Sequence, residues 1–507
     1  MRGWRRLSLG SGRHLPPRIL VATTPAARDL SGADGHAGTC YGRRPLPPFP
    51  GWWAALGPGV VWMALAQGSG ELIWWPYIIA KYGLTFLWVL IPACLLQYPL
   101  NIEIGRYTLL TGESIFHGFI RLHRGLGIFL WLLMTLSFLW FGAFASAGGT
   151  AIAALVDFPK GWTQRGQTLF WGYVSIAVFL IALLSSGVIY TFIERFMKAV
   201  ATVTVFGLLW ACTQPDVVKS IPEFLPGLYG STGPMPRSWD PRDATKLLTA
   251  VSFAGLGGFW ALFYSYWLRD KGSGMAVHMG RITGPLAGKP EIVSHDGNLP
   301  ESAPENARRW RSWRRFLRAD VSFGIIGNLF TTLMTCLLSY ALLFPQGLLP
   351  EEYQLAVVQS QFFEVSWGEV GRVLFLIVAA AFLTDTWLAT ADAVSRIQAD
   401  IVHVLFPKAR RYEMRYLYYV FLGVLTIVTS LTMLLDAPGP LILMSAVIGF
   451  IGTVIFPLAL YYLNYRYLSP ELPQWARPSR ASQAFLLLSF VVYFALACVY
   501  VGSVVAS

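Results

Sequence analysis

An all-α integral membrane protein of about eleven transmembrane helices is what this sequence predicts, on three observations. The 507 residues are 55% hydrophobic and 15% aromatic but only 13% charged, with a mean hydropathy of +0.52, whereas soluble domains carry about twice that charged fraction. The apolar residues gather into eleven runs, each of the order of the ~20 residues a helix needs to cross a bilayer. Two of the runs are interrupted by glycine: Gly68-Ser69-Gly70-Glu71 breaks the first, and Gly255-Leu256-Gly257-Gly258 breaks the sixth.

In chain order the runs lie near 57–80, 86–105, 126–155, 166–186, 190–212, 244–268, 319–344, 371–393, 415–435, 439–463 and 482–505. Backbone groups freed by a break are tolerated at membrane depth only where protein or a water-lined cavity satisfies them again. Glycine breaks at matching places in two halves of a polytopic chain therefore point to a binding site at the bilayer midplane. Cys94, Cys212, Cys336 and Cys498 lie in or at the ends of apolar runs, and with Cys40 they show no CxxC spacing. They read as small core residues, not as a disulfide frame or a metal site.

Residues 1–55 are rich in Arg, Gly and Pro and are expected to form a disordered basic cytoplasmic segment. Leu15-Pro16-Pro17 interrupts it, and Ile19-Leu20-Val21-Ala22 is too short for the apolar region of a signal peptide. The membrane domain occupies 56–507 and includes a long basic loop at 270–316. Its Trp/Arg-rich stretch from Arg308 to Arg315 reads as an interfacial anchor drawn to anionic lipid or as a loop that only enforces topology.

Basic loops stay cytoplasmic. The N-terminal segment, the 2–3 loop (Arg106, Arg121, Arg124), the 6–7 loop, the 8–9 loop (Lys408, Arg410, Arg411, Arg415) and the 10–11 loop (Arg466, Arg477, Arg480) fall on one side. That puts the N-terminus inside and, with an odd number of spans, the C-terminus outside, in an inner or plasma membrane. The net charge of +12 is explained by topology, so nucleic acid is not an expected partner.

Gly57-Pro58-Gly59, a helix broken near Gly68, Lys81-Tyr82-Gly83, Leu87-Trp88-Val89, Leu109-Leu110-Thr111-Gly112-Glu113 and Glu194-Arg195 opening span 5 together resemble the natural resistance-associated macrophage protein (Nramp) metal transporters. The resemblance covers roughly 56–505 and is densest over helices 1 and 2. It implies a LeuT-type inverted repeat, with helices 1–5 and 6–10 as the two repeats and helices 1 and 6 discontinuous. It also implies a departure at the site. The family's Asp-Pro-Gly-Asn falls on Gly68, Ser69, Gly70 and Glu71, and its Met-Pro-His on Gly257, Gly258 and Phe259. The metal-binding Asp and the soft thioether that favours transition metals are both missing.

The residues near the breaks supply the candidates. Gln67, Gly68, Ser69, Glu71, Gly257, Gly258, Phe259 and Tyr264 are read as the substrate site, with Glu71 and Gln67 as possible metal ligands. A carboxylate inside a span costs about 2.5 kcal/mol or more unless it faces a partner or water. Glu71 is accordingly read as ligand or proton acceptor, with a cap on the second half of helix 1 as the other reading. Asp385, between Thr384 and Thr386, is read as an ion or proton coupling site or as a structural hydrogen-bonding group. Gln97, Asn101, Asp320 and Asn328 are further polar residues within spans. Glu103 with Arg106 and Asp392 with Arg396 stand three and four apart and are expected as helix-surface salt bridges.

None of the seven histidines lies deep in a span, and HExxH, GxSxG and Walker A patterns are absent. An enzyme is therefore not expected, and no cofactor is implied. The sequence reads as a secondary transporter moving a small ion by alternating access, with a divalent metal cation in an all-oxygen site as the cargo. The alternatives are an organic-solute or anion transporter on the same fold and a non-transporting membrane sensor. The expected partners are that small ion or solute and the lipid bilayer; oligomeric state is not readable.

Overall fold

The computed structural model describes residues 41–68, 73–230, 239–349 apart from 287, 290, 292 and 295, and 360–506. It is mostly helical, because a chain this apolar must satisfy its backbone within each span. Span 1 comprises Pro58–Ala66 and Trp74–Tyr82, and span 2 is Leu90–Thr111. Span 3 comprises Arg124–Phe138 and Gly142–Val156. Spans 4 and 5 are Gln164–Ser185 and Ile189–Ala211. Span 6 comprises Asp243–Phe253 and Phe263–Asp270. Spans 7 to 11 are Pro304–Leu338, Gly368–Leu405, Met414–Thr432, Pro438–Tyr461 and Arg480–Ala506.

Among the described residues nine helices are long and apolar enough to cross a membrane. A tenth candidate is the pair formed by span 5 and the segment Pro215–Leu228, bent by 88°. The two halves of span 1 complete the expected eleven. The amphipathic helix Pro215–Phe224 was not anticipated, since ten residues fall short of a membrane window.

Small residues let the spans approach closely, as in membrane packing generally. A Cβ on Gly148 would lie 2.2 Å from Thr384 Cγ2 of span 8, and one on Gly149 would lie 2.3 Å from the Thr168 carbonyl of span 4.

Span 7 begins at Pro304, well before the expected 319, because its first turns are amphipathic. Trp310, Trp313 and Phe316 are buried there while Arg308, Arg311, Arg314 and Arg315 are exposed. The buried face holds the chain that precedes span 1. Trp313 Nε1 donates to the Pro47 carbonyl at 2.9 Å, Phe49 lies edge-on to Trp313 at 5.2 Å, and Asn306 Oδ1 accepts from Leu46 N–H at 3.1 Å. β1 (Gly42–Arg44) pairs in parallel with β2 (Asn298–Pro300). Residues 41–55, grouped by the sequence reading with 1–40, thus carry a strand and a short helix, Trp52–Ala55. Trp313 of the supposed lipid anchor faces protein.

The helix-surface salt bridges are a second correction. Glu103, Arg106, Asp392 and Arg396 are all buried. Glu103 also accepts from Ser482 Oγ at 2.8 Å and Tyr465 Oη at 3.0 Å. Arg396 bridges Asp392, at 2.8 Å, to Asp270 of span 6. Each pair ties separate spans together, which the spacing along one helix could not reveal.

Candidate functional site

At the end of the first half of span 1, Gln67 is buried. Its Nε2 donates to Thr331 Oγ1 of span 7 at 3.2 Å, and its Oε1 has no hydrogen-bond partner among the described residues. The next residue must be glycine. A Cβ on Gly68 would lie 1.9 Å from Thr386 Oγ1 and 2.6 Å from the Phe382 carbonyl, so the break is where span 1 meets span 8.

A cavity of about 190 Å³ empty volume adjoins Gln67, lined by Thr204, Leu208, Thr331, Thr332, Thr335 and Phe382. Its usable space suits roughly one water-sized guest. The surface it exposes is almost wholly apolar, although Gln67 and four threonines line it. Thr204 Oγ1 has no hydrogen-bond partner among the described residues. The Thr331 and Thr335 hydroxyls donate to backbone carbonyls at 2.9 Å, which leaves lone pairs as acceptors.

Asp385 belongs to the same stretch of span 8, next to Thr386. It is fully buried. The Thr386 hydroxyl is near enough to interact with it but lies 3.3 Å from the Phe382 carbonyl, to which it donates. Neither Asp385 oxygen makes a hydrogen bond among the described residues. A buried carboxylate left this way is costly.

The break in span 6 is built differently. Gly255, Leu256 and Gly258 all have positive φ (69°, 54° and 64°), and a leucine held there costs on the order of 1–3 kcal/mol. The freed amides are engaged. Gly255 N–H donates to Asn328 Oδ1 of span 7 at 2.9 Å, and Gly258 N–H to Thr453 Oγ1 of span 10 at 2.7 Å. A Cβ on Gly257 would lie 2.7 Å from Gln97 Nε2, whose amide has no partner at either end among the described residues. Phe259 packs edge-on against Phe456 at 5.2 Å.

Span 7 therefore links the two breaks. Asn328 receives the amide of one, and Thr331, one turn on, receives the side chain of the other. Nearer the basic loops, Asp320 of the same span accepts from Gly59 N–H at 2.8 Å and Tyr264 Oη at 2.9 Å. It thereby caps the first half of span 1 and ties it to span 6, so Tyr264 is engaged away from the Gln67 cavity.

Charged clusters lie at both ends. On the basic-loop side, Asp400 is held by Arg269 at 3.0 Å and Tyr266 at 3.1 Å, and Glu194 by Lys271 at 2.7 Å and Lys198 at 2.6 Å. Glu113, just beyond span 2, accepts from Arg121 at 2.7 Å, Tyr107 at 2.6 Å and Gly297 N–H at 2.9 Å. Burial alone would push its carboxyl up, but His117 and Arg121 and these hydrogen bonds hold it below its ordinary value. At the opposite end Asp243 meets Lys81 at 2.7 Å, Lys246 at 3.1 Å and Tyr82 Oη at 2.6 Å.

Of the residues read from the sequence, the fold brings Gln67 and Gly68 to spans 7 and 8, with Asp385 beside that contact. Gly257, Gly258 and Phe259 lie at the other break. Ser69, Gly70 and Glu71 fall outside the described residues. The sequence reading does not single out Thr204, Thr331, Thr332, Thr335 or Thr453; the Thr331-Thr332-x-x-Thr335 spacing, which puts three hydroxyls near one helix face, is the available signal. Among the described residues no group of three or more His, Cys, Asp or Glu converges as a metal-ligand set.

No family model matches the chain, and no curated protein does. Solved structures do. A mutant of the Eremococcus coleocola manganese transporter superposes with a TM-score of 0.57 at 13% identity, covering 90% of this chain and 88% of that one. Mhp1, a nucleobase-cation-symport-1 family transporter in a closed conformation with bromovinylhydantoin bound, gives 0.55 at 14% identity, covering 92% and 95%. MhsT in complex with L-phenylalanine gives 0.54 at 13% identity, covering 88% and 98%. The chain is an integral membrane protein with the LeuT-type fold these structures share.

Proposed function

We propose that this protein is a secondary transporter, Nramp-like in descent, that moves a small hard cation by alternating access, with a divalent metal ion such as Mg²⁺ as its cargo. The observation that carries the reading is the cavity at the span 1 break. It is sized for one water-like guest, two of its lining residues, Gln67 and Thr204, carry oxygens (Oε1 and Oγ1) with no hydrogen-bond partner among the described residues, and the equally unpartnered Asp385 lies on the adjoining turn of span 8. Hard cations take oxygen ligands, and a site without thiolate, thioether or imidazole does not select soft metals.

The anion alternative is less well supported, because the span 6 amides that would receive an anion already donate to Asn328 and Thr453. Glu71 and Asp385 are the proposed charge-carrying and proton-coupling groups. Gly257, Gly258 and Phe259 shape the break that moves, and Tyr264, with Asp320, latches the cytoplasmic side. The basic loops favour a cytoplasmic N-terminus and an external C-terminus in a cell membrane.

The test is calorimetric titration of the purified protein with Mg²⁺, Mn²⁺ and Ca²⁺, then flux of any binder into proteoliposomes. Saturable binding and uptake that are lost in Glu71→Gln or Asp385→Asn support the proposal. Silence toward all three ions moves the cargo to another class.

A further inference from the structure

We infer that the protein carries a built site for an anionic phospholipid between spans 2, 7 and 11, in the leaflet on the side of the basic loops. Two cavities join there. The larger, of about 1510 Å³ including the space open to its surroundings, is an apolar groove with walls from Leu95, Pro99 and Ile102 of span 2 and Phe485, Leu488 and Val492 of span 11. The smaller, of about 500 Å³ including the space open to its surroundings, is lined by Arg106, Arg314, Arg318 and Arg477 together with Glu103 and Trp310. Ile102, Arg318, Ser479 and Ser482 line both, so an acyl-chain groove opens into a basic chamber.

The charge balance of the chamber selects an anion. Its one carboxylate, Glu103, is already held by Arg106 at 3.0 Å, by Asn464 and Tyr465 at 3.0 Å and by Ser482 at 2.8 Å. Arg314, Arg318 and Arg477 form no ion pair among the described residues and are exposed. Arg106 is only 6% exposed, yet its Nη1 has no partner among the described residues. Three guanidinium groups without a carboxylate partner at the chamber's edge favour an oxyanion. A phosphodiester headgroup in the chamber with its acyl chains along spans 2 and 11 satisfies the charge and the apolar groove together, which neither a free phosphate nor a neutral lipid does.

The test is native mass spectrometry of the detergent-purified full chain, titrated with dioleoyl phosphatidylglycerol and dioleoyl phosphatidylcholine. Each arginine near an anionic headgroup is worth about fivefold in affinity. Phosphatidylglycerol should therefore bind at least about tenfold tighter, and the R314Q/R318Q/R477Q variant should lose that preference. Ala481→Trp, which fills the groove, should weaken both lipids. R308Q/R311Q/R315Q, on the same helix but outside the chamber, should keep the preference. Equal binding of the two lipids, an unchanged preference in the chamber variant, an equal loss in the control variant, or displacement of phosphatidylglycerol by millimolar inorganic phosphate would each overturn the inference.

Discussion

Gly68→Ala probes the contact on which the proposed site rests. The added methyl would sit 1.9 Å from Thr386 Oγ1 and 2.6 Å from the Phe382 carbonyl. Rotating Thr386 relieves the first overlap, but the second is with span 8 backbone. Restoring ordinary contact at 3.4 Å moves spans 1 and 8 apart by about 0.8 Å. Overpacking of this kind costs about 1–3 kcal/mol, which lowers the unfolding midpoint in detergent by a few degrees. A shift of this size at a ligand site is expected to lower transport on the order of 100-fold. The assay is cation uptake into proteoliposomes alongside thermal unfolding, with Gly423→Ala as control. Nothing lies within 4 Å of a Cβ at Gly423 of span 9, so alanine there should leave uptake unchanged and add about 0.5–1 kcal/mol of stability. Thr386→Ala added to Gly68→Ala should restore uptake only in part. Wild-type uptake in Gly68→Ala would refute the reasoning, because the site would then not depend on the span 1 and span 8 approach.

Asp320→Ala strands the Gly59 amide and the Tyr264 hydroxyl without an acceptor, at about 1–3 kcal/mol each. Asp320→Asn keeps an acceptor, so its unfolding midpoint should lie above that of the alanine variant; equal midpoints would contradict the capping role. Glu113→Gln breaks a buried ion pair and should cost about 3–5 kcal/mol at neutral pH. Because the folded carboxyl is held below its ordinary 4.5, its stabilising contribution is complete above that value and is lost as pH falls through the lower folded one. The stability gap between wild type and Glu113→Gln should therefore close in the acidic range below 4.5, and a gap independent of pH would show that Glu113 acts through packing.

The spans were legible because an apolar run of membrane length has few alternatives to helix, and the breaks because closely spaced glycines weaken a helix against that background. The start of span 7 was not, since a Trp/Arg stretch shows its amphipathic period only once Pro47 and Phe49 are known to cover Trp313. The candidate site was half legible. Gln67, Gly68 and Asp385 stand out as polar or small residues in apolar surroundings. Thr204 and Thr331 do not, because a threonine within an apolar span looks the same from the sequence whether or not it lines a cavity. The partners that engage the span 6 break, Asn328 and Thr453, are set by packing across 73 and 195 residues, a distance no local pattern encodes.

The most direct test of the account is Mg²⁺ uptake into proteoliposomes by wild type and by the double variant Gln67→Leu/Thr204→Val, which keeps the cavity's shape roughly while removing its two unpartnered oxygens. The account predicts saturable uptake by wild type and at least about a tenfold loss in the double variant, one to two kcal/mol of lost ligation. Equal uptake by the two proteins, or none by wild type, would contradict it.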